Sequence, residues 1–339
     1  MACDATIYLC FILCLMPETT APYPLVNPAT EWDALWQDML RAHQGGAPIR
    51  LQHHARSGWT LAFVPDAHTA LAFDLYKPLL DARAQHRAHA RAAPWVVAQL
   101  GQSLDGFIAT ATGDSFFVNG EPCLLHLHRL RALCDAVLVG AGTVAVDNPQ
   151  LTTRKVEGPQ PTRVVIDAPA RLDGRARVFQ DGQAPTLWVC DALHATAAHK
   201  RLQAQANAAS KDDAGKACDM SSNTASSAAH HACEVLAVPG LIDDPTTGAY
   251  APQRVIDALA LRGLRLLFVE GGGMTVSRFF AAQALHRLHL AIAPVFIGQG
   301  RRGLQVQAND VMADCLRPPA RTTDMGGDVL WDLALKPST

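Results

Sequence analysis

Several features are scarce in this 339-residue chain, and each absence narrows what it does. Lysine and arginine number 29 against 31 aspartates and glutamates, for a formal net charge of -2. No basic block or arginine stripe breaks that balance, so nucleic acid is not an expected partner. The nine cysteines are scattered without paired spacing, which gives no disulfide framework and no sign of an oxidising compartment; they read as reduced thiols. The one cluster, Pro122-Cys123-Leu-Leu-His126, lies on an expected helix and lacks a second pair of ligands, so it reads as core or surface rather than zinc. No Gly-Lys-Ser/Thr follows the glycine run at 271–273, which excludes a P-loop. The apolar stretch from Ile7 to Met16 is too short to span a bilayer, and Asp4 stands where a signal peptide carries positive charge. Met16 is the expected start and the cytoplasm the expected location, with a weak signal sequence as the alternative.

Hydrophobic residues make up 49% of the chain, ample for one large α/β domain with an extension, or for two domains. The stretch from Arg265 to Phe280 organises the rest. Leu266 to Val269 is a short apolar run suited to an inner parallel strand, three glycines follow Glu270, and Val276, Phe279 and Phe280 then recur at helical spacing. Strand, glycine turn and helix place Glu270 at the carboxyl end of a strand, where α/β proteins bind ligands, and the amides opening the helix suit phosphate. A turn packed tightly for structural reasons alone uses the same residues.

In chain order, Trp32, Leu35, Trp36, Met39 and Leu40 fall on one helical face behind Thr30 as a cap, and Gly45-Gly46 ends that helix. Leu51 to Val64 reads as one or two strands. Thr69 to His89 reads as helical, broken at Pro78, and Ala82 to Ala93 as a linker. A boundary just before Pro94 separates an extension of unknown role, residues 1–93, from a domain at 94–339. Trp95 to Leu100 is a strand running into the turn Ser103-Leu-Asp105-Gly106, and the helix from Glu121 to about Leu133 feeds the strand Ala136 to Val139. The following Gly140-Ala-Gly142-Thr143-Val-Ala145 imitates a dinucleotide fingerprint, but Asp147-Asn148-Pro149 stops the helix after barely a turn, which argues against a standard Rossmann unit. Arg163 to Asp167 and Thr186 to Cys190 are strands, Ala192 to Ala209 a helix, and Ser210 to His231 a surface insertion whose His230-His231 pair reads as solvated loop. Glu234 to Val238, Leu288 to Pro294 and Val329 to Leu335 complete the strands, and Pro252 to Arg262 is helical. The expected class is α/β, with a mostly parallel central sheet flanked by helices and antiparallel strands at the C-terminal end.

Taken in order, Ser103-Leu-Asp-Gly106, Gly113-Asp-Ser115, Leu130-Arg131-Ala132, Asp135 to Gly140, Gly142-Thr143, Asp147-Asn-Pro149, Leu151-Thr-Thr-Arg154, Val165-Ile-Asp167, Val269-Glu-Gly-Gly272, and Ala293-Pro294 with Gly298 resemble the reductase domain of riboflavin-biosynthesis deaminase-reductases, over roughly Pro94 to Leu335. The resemblance implies a dihydrofolate-reductase-like fold, often dimeric, that uses NADPH to reduce 5-amino-6-(5-phosphoribosylamino)uracil to its ribitylamino form. It implies cofactor contacts at Gly101, Phe117, Thr143, Asp147 and Gly272, Gly273, Met274, Thr275, Val276, Ser277 and Arg278. It implies substrate contacts at Ser115, Arg131, Leu151, Arg154 and Glu270, with Asp147 and Glu270 the carboxylates expected near the reacting centre. Arginine forks at 131 and 154 suit a ribose phosphate.

Three positions depart from the family pattern. Gln99 stands where many bacterial members carry lysine, Ala168 where a serine is common, leaving Arg171 as the candidate for the 2′-phosphate, and Phe117 where tryptophan is common. The N-terminal part lacks the His-x-Glu and Pro-Cys-x-x-Cys signature of a zinc deaminase, so no metal and no deamination are expected. The readings that follow are a stand-alone reductase of that pyrimidine, a reductase of another pyrimidine or pteridine-like compound, or a non-catalytic nucleotide-binding module. The joint presence of Arg131, Asp147, Arg154 and Glu270 argues against the last.

Overall fold

A computed structural model describes residues 31–115, 118–214 and 233–336, with only the backbone described for 206–214. The capping Thr30, the apolar stretch at 7–16, Phe117 and residues 215–231 of the expected insertion fall outside it. The elements run α1 (Glu31–Gln44), β1 (Leu51–His54), β2 (Gly58–Leu61), α2 (Ala67–Ala88), β3 (Trp95–Ser103), β4 (Phe107–Thr110), α3 (Glu121–Leu133), β5 (Ala136–Gly140), α4 (Ala141–Asp147), β6 (Thr162–Ile166), α5 (Arg177–Gln180), β7 (Thr186–Asp191), α6 (Ala195–Ala214), β8 (Cys233–Val238), β9 (Ile242–Asp244), β10 (Ala249–Tyr250), α7 (Pro252–Leu261), β11 (Leu266–Glu270), α8 (Gly273–Ala281), β12 (Arg287–Ala293), β13 (Gly300–Arg302), β14 (Ala320–Met325) and β15 (Asp328–Ala334).

Nine strands form one sheet in the order β14-β15-β12-β3-β11-β5-β6-β7-β8. From β12 to β8 every pairing is parallel, whereas β15 joins β12 antiparallel and β14 joins β15 antiparallel. This is the expected architecture. The apolar runs of β5, β6 and β11 sit in its interior because both faces are covered: all five β5 residues are buried, as are four of five in β6 and in β11. One face packs on α7 and α8 through Val255, Ile256, Leu259, Val276 and Phe279. The opposite face packs on α3 and on α1 and α2.

The extension is thus part of the sheet's own core. Trp32, Leu35, Trp36, Tyr76 and Leu79 join Leu130, Leu133, Val137 and Phe268 in one apolar cluster. Helix α2 continues unbroken through Pro78 and on to Ala88, so the expected break and the first half of the expected linker are corrected. Proline removes one backbone donor and crowds the preceding turn, but Leu75, Tyr76, Leu79 and Leu80 bury the helix on both sides of it. Those four side chains each contribute about 1.5–3 kcal/mol by burial, enough to hold the turn.

A chain of polar groups crosses this apolar region. The Tyr76 hydroxyl lies 2.7 Å from His126 Nδ1, and His126 Nε2 lies 2.9 Å from His289 Nδ1 on β12. His289 Nε2 is 3.3 Å from Asp332 Oδ1, an ion-pair contact without ideal hydrogen-bond alignment. Arg287 grips the same carboxylate through Nε at 2.7 Å and through Nη2. Tyr76, His126 and His289 have no solvent exposure. The histidine of the Pro122–His126 cluster therefore belongs to a packed polar chain.

Candidate active site

Strand β11 ends at Glu270, between β3 and β5. Gly271 follows with φ +94°, a backbone region that side chains rarely adopt, so only glycine turns the chain there without strain. Two βα turns then clasp each other. The Gly272 amide donates to Thr143 Oγ1 at 3.3 Å, while Thr275 lies so close to Gly140 that a Cβ there would come within 2.4 Å of its hydroxyl. The glycine turns of β5–α4 and β11–α8 thus open together at the carboxyl edge of the sheet.

A cavity of about 1870 Å³ lies on them, larger than the roughly 300–1,000 Å³ that holds one drug-sized molecule. Gly101, Ser115, Thr143, Asp147, Arg171, Glu270, Gly272, Gly273, Met274, Thr275 and Arg278 all line it. Among these, Arg171 lies beside Gly248 of the β9–β10 turn, and the Arg278 guanidinium lies 4.5 Å from the Tyr250 ring centre. Gln99, the register partner of Glu270 across β3 and β11, lines the cavity too, as do Ser115, Asn119, Cys123 and Leu127. Arg301 and Arg302 of β13 also line the cavity. Nothing in the sequence marked them; they arrive because β13 pairs with β4. Asn119 was missed as well. It is held by Asp328 and leans so far over Gly101 that a Cβ there would meet it at 1.7 Å.

Arg131, Leu151 and Arg154 do not line the cavity. Arg131 Nε donates to Glu270 Oε2 at 2.7 Å and Nη2 to Oε1 at 2.5 Å, while Nη1 donates to the Thr152 carbonyl. Its fork is therefore spent on a carboxylate, and two N–H groups remain for any ligand. Leu151 is buried in the apolar core with φ +58°, a conformation costing about 1–2 kcal/mol in a non-glycine residue. Strain of that kind persists where the surroundings fix a loop. Among the described residues, Arg154 bonds side chain to side chain only with Thr152, at 3.5 Å. Burial and then the charge of Arg131 lower its pKa, with Glu270 opposing.

Two of the expected cofactor residues, Val276 and Ser277, do not line the cavity. Val276 is fully buried against the sheet, and Ser277 donates to the Gly273 carbonyl at 2.5 Å and accepts from the Gln305 amide at 2.8 Å. Phe117 lies outside the described residues. Asp147 ends α4, where Asn148 turns left-handed at φ 41°, confirming that no Rossmann helix follows. It is exposed to solvent, yet the protein crowded around it raises its pKa, with Arg301 opposing. The Ser103–Gly106 turn is structural. Ser103 Oγ donates to Asp105 at 2.5 Å, Asp105 also accepts from the amides of Ile297 and Gly298, and its pKa falls to about 2, first through the Ser103 bond. Asp167 likewise accepts from the Arg171 and Leu172 amides and the Trp188 indole.

With that geometry in place, comparison with known proteins becomes decisive. The model of the RibD C-terminal domain matches residues 94–317. The chain belongs to the RibD C-terminal domain family. The family match begins at the boundary read before Pro94 and leaves α1 and α2 outside it. Among relatives, the riboflavin biosynthesis protein RibD of Bacillus amyloliquefaciens is 32% identical over 206 residues, 60% of this chain and 47% of that protein. The 2,5-diamino-6-ribosylamino-4(3H)-pyrimidinone 5′-phosphate reductase of Methanothermobacter thermautotrophicus is 45% identical over 97 residues, 28% of this chain and 44% of that protein. The matched segment spans less than half of each of these two. The solved structure of Acinetobacter baumannii RibD superposes with a TM-score of 0.55 at 19% identity, covering 78% of this chain and 63% of that one, and supports the fold of the RibD domain.

Proposed function

We propose that this chain is an NADPH-dependent reductase that converts 5-amino-6-(5-phosphoribosylamino)uracil to its ribitylamino form in riboflavin biosynthesis. The observation that carries the reading is the continuity of one cavity from the clasped glycine turns to the Glu270 carboxylate, with room for two ligands. The residues fit the cofactor: a Cβ at Gly142 would meet nothing within 4 Å, leaving backbone open to a phosphate, and Arg171, Arg301 and Arg302 supply positive charge around it. NADPH bound there supplies the hydride.

Reduction adds a hydride at the sugar C1′, breaks the C1′–O4′ bond and requires one proton at O4′. We assign that proton to Asp147, whose carboxyl is held above its ordinary pKa. Glu270, with both oxygens on Arg131, accepts N–H groups of the pyrimidine and orients it. Arg154, which is exposed but does not line the cavity, meets the 5′-phosphate by swinging its guanidinium in from the loop after Leu151, and the competition it now has with Arg131 is then relieved by a dianion. The test is NADPH oxidation by the full chain with this substrate, beside Arg154→Ala. Substrate-dependent turnover that Arg154→Ala reduces supports the reading; NADPH binding without turnover overturns the substrate.

One observation favours a second substrate. Gln99 is 6% exposed and lines the cavity, and its Oε1 has no hydrogen-bond partner. A buried bare acceptor asks for a donor on the ligand. The 2-amino group of a 2,5-diamino-pyrimidinone, the ring in the printed name of the archaeal relative, is such a donor; the 2-oxo group of the uracil is not.

A further inference from the structure

The described part of the extension grips two segments of the domain, and they are the two that carry Arg131 and Arg154. Helix α3 bears Arg131. It is held from outside by Tyr76 on His126 and by Trp32, over which the Arg129 guanidinium lies at 4.9 Å. The loop from Leu151 to Gln160 bears Arg154. It is held by Trp36 Nε1, which donates to the Glu157 carbonyl at 3.0 Å, and by Gln37 Nε2, which donates to Glu157 Oε2 at 2.6 Å. Where the loop passes under α1, Gly158 is wedged in: a Cβ there would stand 2.6 Å from Ala132 of α3 and 3.4 Å from Leu40 of α1. Loop and helix are also joined to each other, by Arg131 to the Thr152 carbonyl and by the Arg154 amide to His128 Nδ1.

The grip is one-sided. Besides α3 and this loop, the extension's described polar contacts reach Asp135 and Arg265, at the starts of β5 and β11 and so at the sheet edge away from the cavity, and Arg321 of β14. The segments assigned above to the cofactor, α4, α8, β13 and the β9–β10 turn, receive none of these contacts.

We propose that residues 31–93, none of which lines the cavity, form an outer wall behind its Glu270 side, with Tyr76, Trp36 and Gln37 as positioning residues for Arg131, which holds Glu270, and for Arg154. The proposal rests on the reductase reading for the identity of the substrate, but its physical content is independent of turnover. Loosening the wall lets α3 and the 151–160 loop move together against Glu270, and leaves the glycine clasp unchanged. A merely structural extension has a different signature, since loss of global packing weakens both halves at once.

The experiment uses the full chain and three variants: Tyr76→Phe, the double change Trp36→Phe with Gln37→Ala, and Arg321→Ala, which breaks only the exposed pair with Asp74. NADPH affinity is read by fluorescence titration without substrate, and substrate KM by NADPH oxidation. Removing these hydrogen bonds is expected to raise substrate KM about fivefold or more, with NADPH affinity unchanged and Arg321→Ala like wild type in both. Equal weakening of NADPH and substrate, or no change in either, overturns the proposal. If Tyr76→Phe fails to fold, the Trp36 and Gln37 changes carry the test, because Gln37 sits at the surface end of the contact. If the wild type shows no turnover, the substrate reading fails on its own. Ribose 5-phosphate affinity of the same variants by calorimetry then decides the wall: selective weakening supports it, and equal affinity overturns it.

Discussion

Both carboxylate oxygens of Glu270 are held by a single side chain, the Arg131 guanidinium, at 2.7 and 2.5 Å. The side chains are 5% and 12% exposed, so either one alone would be a nearly dry, unpaired charge. Arg131→Ala is expected to destabilise the protein by about 3 kcal/mol, as breaking a buried pair does, and to abolish turnover. Arg131→Lys keeps the charge but not the fork. It is expected to fold and to lose most of kcat/KM, checked by urea unfolding alongside steady-state kinetics.

Asp147 makes a pH prediction. A carboxyl whose folded pKa is raised is protonated over a wider range of pH, so as an acid it serves best below that value. Turnover should decline as pH rises through it, and Asp147→Asn should lose both the rate and that limb of the profile. The same group contributes stability present below its unfolded pKa and lost as pH rises through the folded one. An unchanged pH profile in Asp147→Asn would remove it from the chemistry.

Much of this site was legible in the residues, and the part that was not has a physical reason. Apolar runs marked β5, β6 and β11, the first and last running into glycine, because strands buried on both faces need nothing else. Asn148-Pro149 announced the short α4. By contrast β14, Ala-Arg-Thr-Thr-Asp-Met, shows no apolar alternation because it is an edge strand whose first three residues are exposed. Val276 is buried because a helix that opens at the sheet's edge turns its next side chains into the core. The contacts of Tyr76 with His126 and of His126 with His289 join residues 50 and 163 positions apart, and no local pattern encodes such a distance.

Gln99→Lys exchanges a bare acceptor for a donor in a buried place. The ratio of kcat/KM for the 2-oxo over the 2-amino substrate is expected to rise at least about tenfold, since a site built for one polar partner rejects its opposite strongly. Parallel assays of both substrates with wild type and variant measure it; an unchanged ratio would place Gln99 outside ring recognition.

Arg171 bears on the cofactor. Truncation to alanine should weaken NADPH by about tenfold and leave NADH nearly unchanged, if its guanidinium meets the 2′-phosphate as a charge-assisted pair. Fluorescence titration with the two dinucleotides checks this without turnover, and equal losses would reassign the residue.

Asp332 predicts acid sensitivity. Burial pushes its pKa up, but His289 and Arg287 outweigh that and hold it well below the ordinary carboxylate range. A depressed carboxyl contributes stability present above its unfolded pKa, ~3.9, and lost as pH falls through the folded value. Asp332→Asn should therefore cost about 3 kcal/mol at neutral pH and flatten the acid limb of a Tm-versus-pH curve.

The chain that ends at Asp332 also has a grammar. A carboxylate only accepts, so the His289 Nε2 that faces Asp332 at 3.3 Å is the nitrogen that carries a proton. With His289 neutral, its Nδ1 accepts from His126 Nε2, and His126 Nδ1 accepts from the Tyr76 hydroxyl; with His289 charged, both links run the other way. No link can be reversed by itself. The extension and the domain thus share one proton order: what is done to the Tyr76 hydroxyl on α2 is felt, link by link, at the His289 that faces Asp332.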